Sequence, residues 1–324
     1  MEGYPWHQPA WLQLQRYIYQ DRIPQALLIK GQKGLGKFEL AKRFAKSLLC
    51  ENLDTAANAC GYCPSCLLFK AESHPDLLVI EAEEGKNITV KQIRKLLDQL
   101  SLKRQFEKYR VVIVQSADKL NHAAANAFLK YLEEPKERTC LFLITNRPSA
   151  LPATILSRCQ QFVVAKPNQD EMLAWLQQQQ ISGSLNLLSQ LSQGSPLLAL
   201  DYAKQNYVEL RQECFNSWLA VARRQQHPVL VAEHWLTLPE MALLFWLTSW
   251  VMDLIKYLST AKTGYLYNQD VAKSLQELSR QLELKSLYQW YDMLLISQQR
   301  MMTQINKQLL LEEILIEWSN LTRV

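Results

Sequence analysis

Gly31-Gln32-Lys33-Gly34-Leu35-Gly36-Lys37-Phe38 is the stretch on which the reading of this chain turns. It fits the phosphate-binding pattern G-x-x-x-x-G-K-[ST] at every position but the last. Ahead of it, Ala26-Leu27-Leu28-Ile29 is a short apolar run that reads as a buried strand. Behind it, Phe38, Leu40, Ala41, Phe44, Ala45, Leu48 and Leu49 recur at helical spacing. Strand, glycine loop and helix is the context in which backbone N–H groups and a helix N-terminus converge on phosphate oxygens. In such a loop Lys37 reaches the β- and γ-phosphates, and a hydroxyl at the next position binds Mg²⁺. Phe38 puts a phenyl ring there. Two readings follow: a phosphate site that has lost a metal ligand, or a tight glycine turn with no ligand.

Working outward, the first half alternates strands and helices. Residues 76–80, 110–114, 140–144 and 161–164 read as further strands. Residues 88–102 and 123–134 read as helices, the second stopped by Pro135. This alternation predicts a parallel sheet covered on both faces. No strand pattern persists beyond residue 168. Helices are expected at 168–180, 185–192 and from Pro196 to Tyr202, and after about 208 the chain is amphipathic helix rich in Leu, Trp and Gln. The expected organisation is an α/β domain at 1–166, a small helical domain at 167–207 and an all-helical domain at 208–324.

A phosphate-loop hydrolase also needs two acids at the end of a neighbouring strand, one for Mg²⁺ and one to activate water. The strand at 110–114 continues into Gln115 and Ser116, which can neither hold the cation strongly nor take a proton near neutral pH. Asp118 lies further out and reads as a turn or cap residue. The losses at Phe38, Gln115 and Ser116 agree with one another.

Cys50, Cys60, Cys63 and Cys66 form a second constellation, with spacers of nine, two and two residues. Four thiolates bind Zn²⁺ tetrahedrally, and two-residue spacers fit a metal knuckle. Gly61 and Pro64 supply its turns. With no open coordination position, the expected metal is structural. An iron–sulfur cluster, and a cluster of thiols without metal, are the alternatives. Cys140, Cys159 and Cys214 read as buried thiols. Ser157-Arg158-Cys159 lies at a turn before the fifth strand. An arginine there can stabilise charge on the γ-phosphate of a neighbouring subunit's nucleotide, or form an ordinary surface salt bridge. Trp218, Trp235, Trp246, Trp250, Trp290 and Trp318 belong to a helical core or to a partner interface.

Composition bounds these readings. The 324 residues are 48% hydrophobic and 21% charged, as in a globular protein of two or three domains. Residues 1–165 carry 23 Lys/Arg and 16 Asp/Glu, or +7; residues 166–324 carry 13 and 15, or −2. The basic front half favours a polyanion such as DNA or nucleotide, or simply a solvated surface. The sequence leaves open whether Lys103, Arg104, Lys108 and Arg110 face DNA. Residues 1–10 have no apolar core of a secretory signal, and the apolar run at 241–252 is shorter than the roughly 20 residues of a membrane span. The expected compartment is the cytoplasm, where cysteines serve as thiols or metal ligands.

Taken in order, these motifs resemble the delta-prime branch of the bacterial DNA polymerase III clamp-loader subunits, over essentially the whole chain. The resemblance is carried by Tyr4-Pro5-Trp6, the four-cysteine insertion, His74-Pro75-Asp76, the segment from Ala124 to Pro135 that ends Leu132-Glu133-Glu134-Pro135, and Leu156-Ser157-Arg158-Cys159. The degenerate loop and acid site resemble delta-prime more than the ATP-hydrolysing gamma/tau subunits. The resemblance implies an AAA+ domain with a zinc module at about 50–70, a lid domain, and a collar domain that assembles a hetero-pentamer with gamma/tau and delta. It implies a structural zinc on the four cysteines, Arg158 as an arginine finger acting in trans, and no use of ATP or Mg²⁺ by this chain. It implies a role in loading a sliding clamp on primer-template DNA. Hydrolysing relatives carry an arginine after Gly-Ser at a second sensor position; this chain has Gly194-Ser195-Pro196-Leu197. Thr145 and Asn146 fall in the first sensor region. An active ATPase of the gamma/tau type and a stand-alone zinc-dependent nucleic-acid-binding protein are the rival readings.

Overall fold

The computed structural model describes residues 3–83, 86–181, 183–301, 303 and 305–322; residues 1 and 2 of the stretch read for a secretory signal lie outside it. The chain divides into two compact units, residues 1–204 and 205–324.

The first unit is built on a five-stranded parallel sheet of β1 (Ala26–Lys30), β2 (Leu77–Ile80), β3 (Arg110–Val114), β4 (Thr139–Thr145) and β5 (Gln160–Val163). Their order across the sheet is β2-β3-β4-β1-β5. In register, Leu28 of β1 lies opposite Leu143 of β4 and Gln161 of β5. Period-two alternation sends side chains to two separate cores. Leu27 and Ile29, Val111 and Ile113, and Phe142 and Ile144 face α1 (Gln8–Tyr19) and α2 (Lys37–Leu49). Leu28, Val112, Val114, Leu141 and Leu143 face α4 (Val90–Ser101) and α5 (His122–Glu133) on the other side. A strand covered on both faces needs no polar alternation, which is why β1, β3 and β4 are nearly continuous apolar runs. Between α2 and β2, α3 (Pro64–Lys70) follows the cysteine-rich insertion.

Local signals set the helix ends. Thr89 and Gln92 form a reciprocal capping box at α4. Asn121 caps α5 by accepting from the Ala124 N–H. Short helix α6 (Ala153–Leu156) leads into β5. Three helices complete the unit: α7 (Gln169–Gln178), α8 (Leu185–Leu191) and α9 (Pro196–Lys204), the last with Pro196 at its first position.

At the amino end of the sheet Asp76 and Arg110 form a fully buried ion pair. The Asp76 carboxylate accepts from the backbone N–H groups of Gln105 (3.0 Å) and Phe106 (2.9 Å) and from Arg110 Nε (3.0 Å). The Arg110 guanidinium also donates to the carbonyls of Gln99 (3.3 Å), Leu102 (3.0 Å) and Lys103 (2.9 Å). Its charge is spent on pinning the loop 102–109, so it does not face solvent or a polyanion.

The second unit is all helical: α10 (Tyr207–Ala222), α11 (Pro228–Trp235), α12 (Glu240–Thr260), α13 (Ala272–Ser279), α14 (Leu284–Met301) and α15 (Lys307–Leu321). The apolar run at 241–252 lies in α12. No described helix in the chain is long and apolar enough to cross a membrane. All six tryptophans of this unit are buried. Trp218 stacks on Trp318 at 4.3 Å between ring centres, and Trp290 lies 4.7 Å from Trp318. A polar knot sits beside them. Buried Arg211 donates to Asp270 (2.5 Å) and Asn268 (2.7 Å), and buried Asp253 accepts from the Tyr267 (2.8 Å) and Asn268 (2.7 Å) N–H groups.

A closed phosphate loop, a thiol cluster and an exposed arginine

The glycine loop joins β1 to α2 at the carboxyl end of the sheet, where β1 lies between β4 and β5. Open α/β sheets bind ligands at such a position. Gly34 (φ +82°) and Gly36 (φ +71°) hold left-handed backbone that a side chain would strain. A Cβ on Gly34 would lie 2.8 Å from the backbone N of Leu198, and one on Gly36 would lie 2.5 Å from the Tyr4 ring. A Cβ on Gly31 would meet the Val164 carbonyl at 2.6 Å. The glycines therefore admit the protein's own atoms to the loop.

Two of the loop's carbonyls and its lysine are also taken up internally. The Leu35 carbonyl accepts from Trp6 Nε1 at 3.0 Å and contacts His7 Nε2 at 2.7 Å. The Leu197 N–H, at the start of α9, donates to the Gly34 carbonyl at 3.1 Å. Tyr4 and Trp6 stack in parallel at 4.8 Å, with Trp175 of α7 edge-on to both. Lys37 is 5% exposed; its ammonium donates to the Gln32 carbonyl (2.5 Å) and to Asn146 Oδ1 (2.7 Å). Burial brings Lys37 down to about 8, against the opposing pull of Asp118 and Glu39. Phe38 packs at the margin of the α1–α2 core, with the Lys42 ammonium 5.5 Å over its ring.

Gln115 and Ser116 sit half-buried at the carboxyl end of β3. The carboxylate in this region is Asp118, in the turn that follows. Asp118 Oδ1 accepts from Thr145 Oγ1 at 2.9 Å and from the Asn146 N–H at 3.4 Å, and Oδ2 lies 3.6 Å from Arg147. A residue read as a turn therefore anchors the segment that holds Lys37. The fold brings Gly31, Gly34, Gly36, Lys37, Gln115, Ser116 and Leu197 to one end of the sheet, and nothing in that set offers two carboxylates to a cation.

Linkage gives this arrangement a pH signature. Between about pH 8 and the ordinary lysine value the unfolded chain binds the proton that folded Lys37 has lost. Stability therefore gains from Lys37 as pH rises through that window, and the gain is lost below it. Lys37→Met should abolish the difference: denaturant midpoints from pH 7.5 to 10.5, mutant against parent, should show the parent gaining relative to the mutant.

The four thiols meet as a compact cluster. Cys50 follows α2, Cys63 caps α3 and Cys66 lies within it. All four sulfurs lie within 4.8 Å of one another; Cys50–Cys60 is 3.6 Å, Cys50–Cys63 3.9 Å and Cys60–Cys66 4.0 Å. A tetrahedron of sulfurs each about 2.3 Å from a metal has edges of about 3.8 Å, close to the three distances above, so the donor set suits one tetrahedrally coordinated metal ion. Backbone N–H groups of Cys60, Cys63 and Cys66 point at sulfurs of the set at 3.3–3.4 Å, as suits thiolate charge. Ser65 ties the cluster to the sheet: its hydroxyl donates to the Leu49 carbonyl (2.7 Å) and lies 2.8 Å from His74, which accepts from the Asp76 N–H.

Arg158 lies elsewhere. It precedes β5, at the amino end of a parallel sheet whose carboxyl end carries the loop. Strands of this length separate the two ends by on the order of 15 Å, beyond the reach of one side chain. Arg158 is about one-third exposed and pairs with Glu133 Oε1 through Nε (2.9 Å) and Nη2 (2.5 Å). Cys159 beside it is buried, and burial pushes its thiol up to about 11.

Comparison with known proteins adds the family. The model described as "DNA polymerase III, delta subunit" matches residues 6–168, and "DNA polymerase III, delta subunit, C terminal" matches residues 205–320. The chain is 35% identical to DNA polymerase III subunit delta' of Pseudomonas aeruginosa over 324 residues, 98% of each chain. It is 32% identical to that of Escherichia coli over 322 residues, 98% of this chain and 95% of the other. Against DNA polymerase III subunit tau/gamma of Haemophilus influenzae it is 37% identical over 145 residues, 45% of this chain and 21% of that protein. With one family model on each unit and delta-prime subunits matching over 95% or more of both chains, the chain belongs to the delta-prime family of DNA polymerase III subunits.

Proposed function

We propose that this chain is a non-hydrolysing AAA+ subunit of a replicative clamp loader in the cytoplasm. It donates Arg158 to the nucleotide site of an adjacent gamma/tau subunit. The observation that carries the first half is the state of Lys37: its ammonium is satisfied by Gln32 and Asn146 inside a loop whose glycines are covered by Tyr4 and Leu198. Phe38, Gln115, Ser116 and Leu197 add no Mg²⁺ ligand, no base and no sensor arginine, so Mg²⁺-ATP finds neither cradle nor chemistry here. The position of Arg158, away from its own loop and exposed, supports action in trans.

On this reading residues 1–166 serve as the AAA+ domain, 167–207 as the lid and 208–324 as the collar. The collar joins gamma/tau and delta in a hetero-pentamer that loads a sliding clamp on primer-template DNA. Because the tryptophans fill the helical core, partner contacts fall to exposed apolar residues such as Leu230, Ile296 and Leu309. The test of function is reconstitution with Arg158→Ala: assembly unchanged, DNA-stimulated ATPase sharply reduced.

The four thiols are assigned to one structural Zn²⁺. Bound there, zinc closes the insertion at about 50–70 onto α2 and leaves no position for substrate. Metal analysis of the purified chain should return about one zinc per molecule. Cys63→Ser should release it and open the insertion, at a cost on the order of several kcal/mol locally, read as proteolytic nicking between residues 50 and 70 while the sheet stays folded.

A further inference from the structure

Arg158 is more constrained than a free finger would be. Four of its five N–H donors are engaged: Nε and Nη2 on Glu133 Oε1, and Nη1 on the Thr154 carbonyl (2.9 Å) and Ser157 Oγ (3.4 Å). The edge formed by Nε and Nη2, the pair that grips an oxyanion bidentately, is the one that Glu133 occupies. Glu133 is the last residue of α5, so the negative end of that helix also favours the guanidinium there. A carboxylate at this place neutralises the charge that a finger has to deliver.

We infer that Glu133 parks Arg158. At rest the carboxylate holds the guanidinium against the end of α5. A terminal phosphate on the neighbouring subunit, with more negative charge, displaces Glu133 and takes over the same edge. Both side chains are about one-third to one-half exposed, and ion pairs of that kind are weak enough to exchange without disturbing the fold. Glu133 thus acts through Arg158, as a positioning residue that sets how readily the finger engages before DNA has drawn the subunits together. This inference rests on the trans-finger reading given above.

The test is steady-state ATPase of the reconstituted complex, with and without primed DNA, resolved into kcat and KM. Removing the charge in Glu133→Gln should raise the DNA-independent kcat about two- to fivefold, the range of an exposed ion pair, with KM unchanged. Glu133→Asp, which restores the carboxylate, should return kcat towards the parent. In Arg158→Ala/Glu133→Gln the gain should vanish. If Glu133→Gln leaves kcat level or lowers it while Arg158→Ala depresses turnover, parking is overturned and the finger stands. If Arg158→Ala leaves turnover unchanged, the finger reading falls and this inference falls with it.

Discussion

On the proposed trans role of Arg158, a clamp loader reconstituted with Arg158→Ala should assemble normally and lose roughly 10³-fold or more of the hydrolysis rate at one neighbouring site, the scale at which arginine fingers act. The geometry behind the number is specific. Arg158 sits at the amino end of β5, while the phosphate loop follows the carboxyl end of β1 in the same parallel sheet. It is therefore misplaced for its own loop. Its loss costs the fold little, because the Glu133 pair is partly solvated. Residual turnover by the mutant complex should come from sites completed by other subunits. Its thermal midpoint should match the parent, which separates a lost finger from a lost fold.

Breaking the Asp76–Arg110 pair should have the largest effect on stability. Asp76→Ala leaves a guanidinium buried without its counter-charge and frees the N–H groups of Gln105 and Phe106. Removing one partner of a buried pair costs about 3–5 kcal/mol, a large part of a typical domain's 5–15 kcal/mol. For a unit of this size each kcal/mol lowers the melting temperature by about 2–4 °C, so a fall on the order of 10 °C is expected by calorimetry. Arg110→Ala should fall similarly, since it abandons a carboxylate of zero exposure. The double replacement Asp76→Leu/Arg110→Met should recover part of the loss, because no buried charge then remains unpaired. A surface role for Arg110 in binding DNA would instead leave the melting temperature near the parent's.

Much of this was legible in the sequence because it is local. Strand runs, the glycine loop, the stop at Pro135 and the two-residue cysteine spacers all act within a few positions. The absence of acids at Gln115 and Ser116 needed only the end of one strand. What escaped depends on contacts far along the chain. Tyr4 covers Gly36, Asp118 supports Thr145 and Asn146, and Glu133 meets Arg158 across 25 residues. The tryptophan stack joins residues 100 apart. Arg110 lay among basic neighbours, and the sequence left its surroundings open; only its pairing with Asp76 across two parallel strands explains its burial. Periodicity fixes which face a side chain takes, and says nothing of which distant partner meets it there. The Tyr4-Pro5-Trp6 segment did stand out in the sequence, as part of the resemblance, but its seat on the loop follows from the fold alone.

On the proposed reading, this chain's own nucleotide site takes up no Mg²⁺-ATP. Equilibrium titration of the isolated chain with Mg²⁺-ATP, followed by turnover in the same sample, tests it most directly. The structure predicts no saturable binding below the millimolar range and no phosphate release above background, with Lys37→Met identical to the parent. Micromolar binding, or Mg²⁺-dependent hydrolysis that Lys37→Met abolishes, would contradict it.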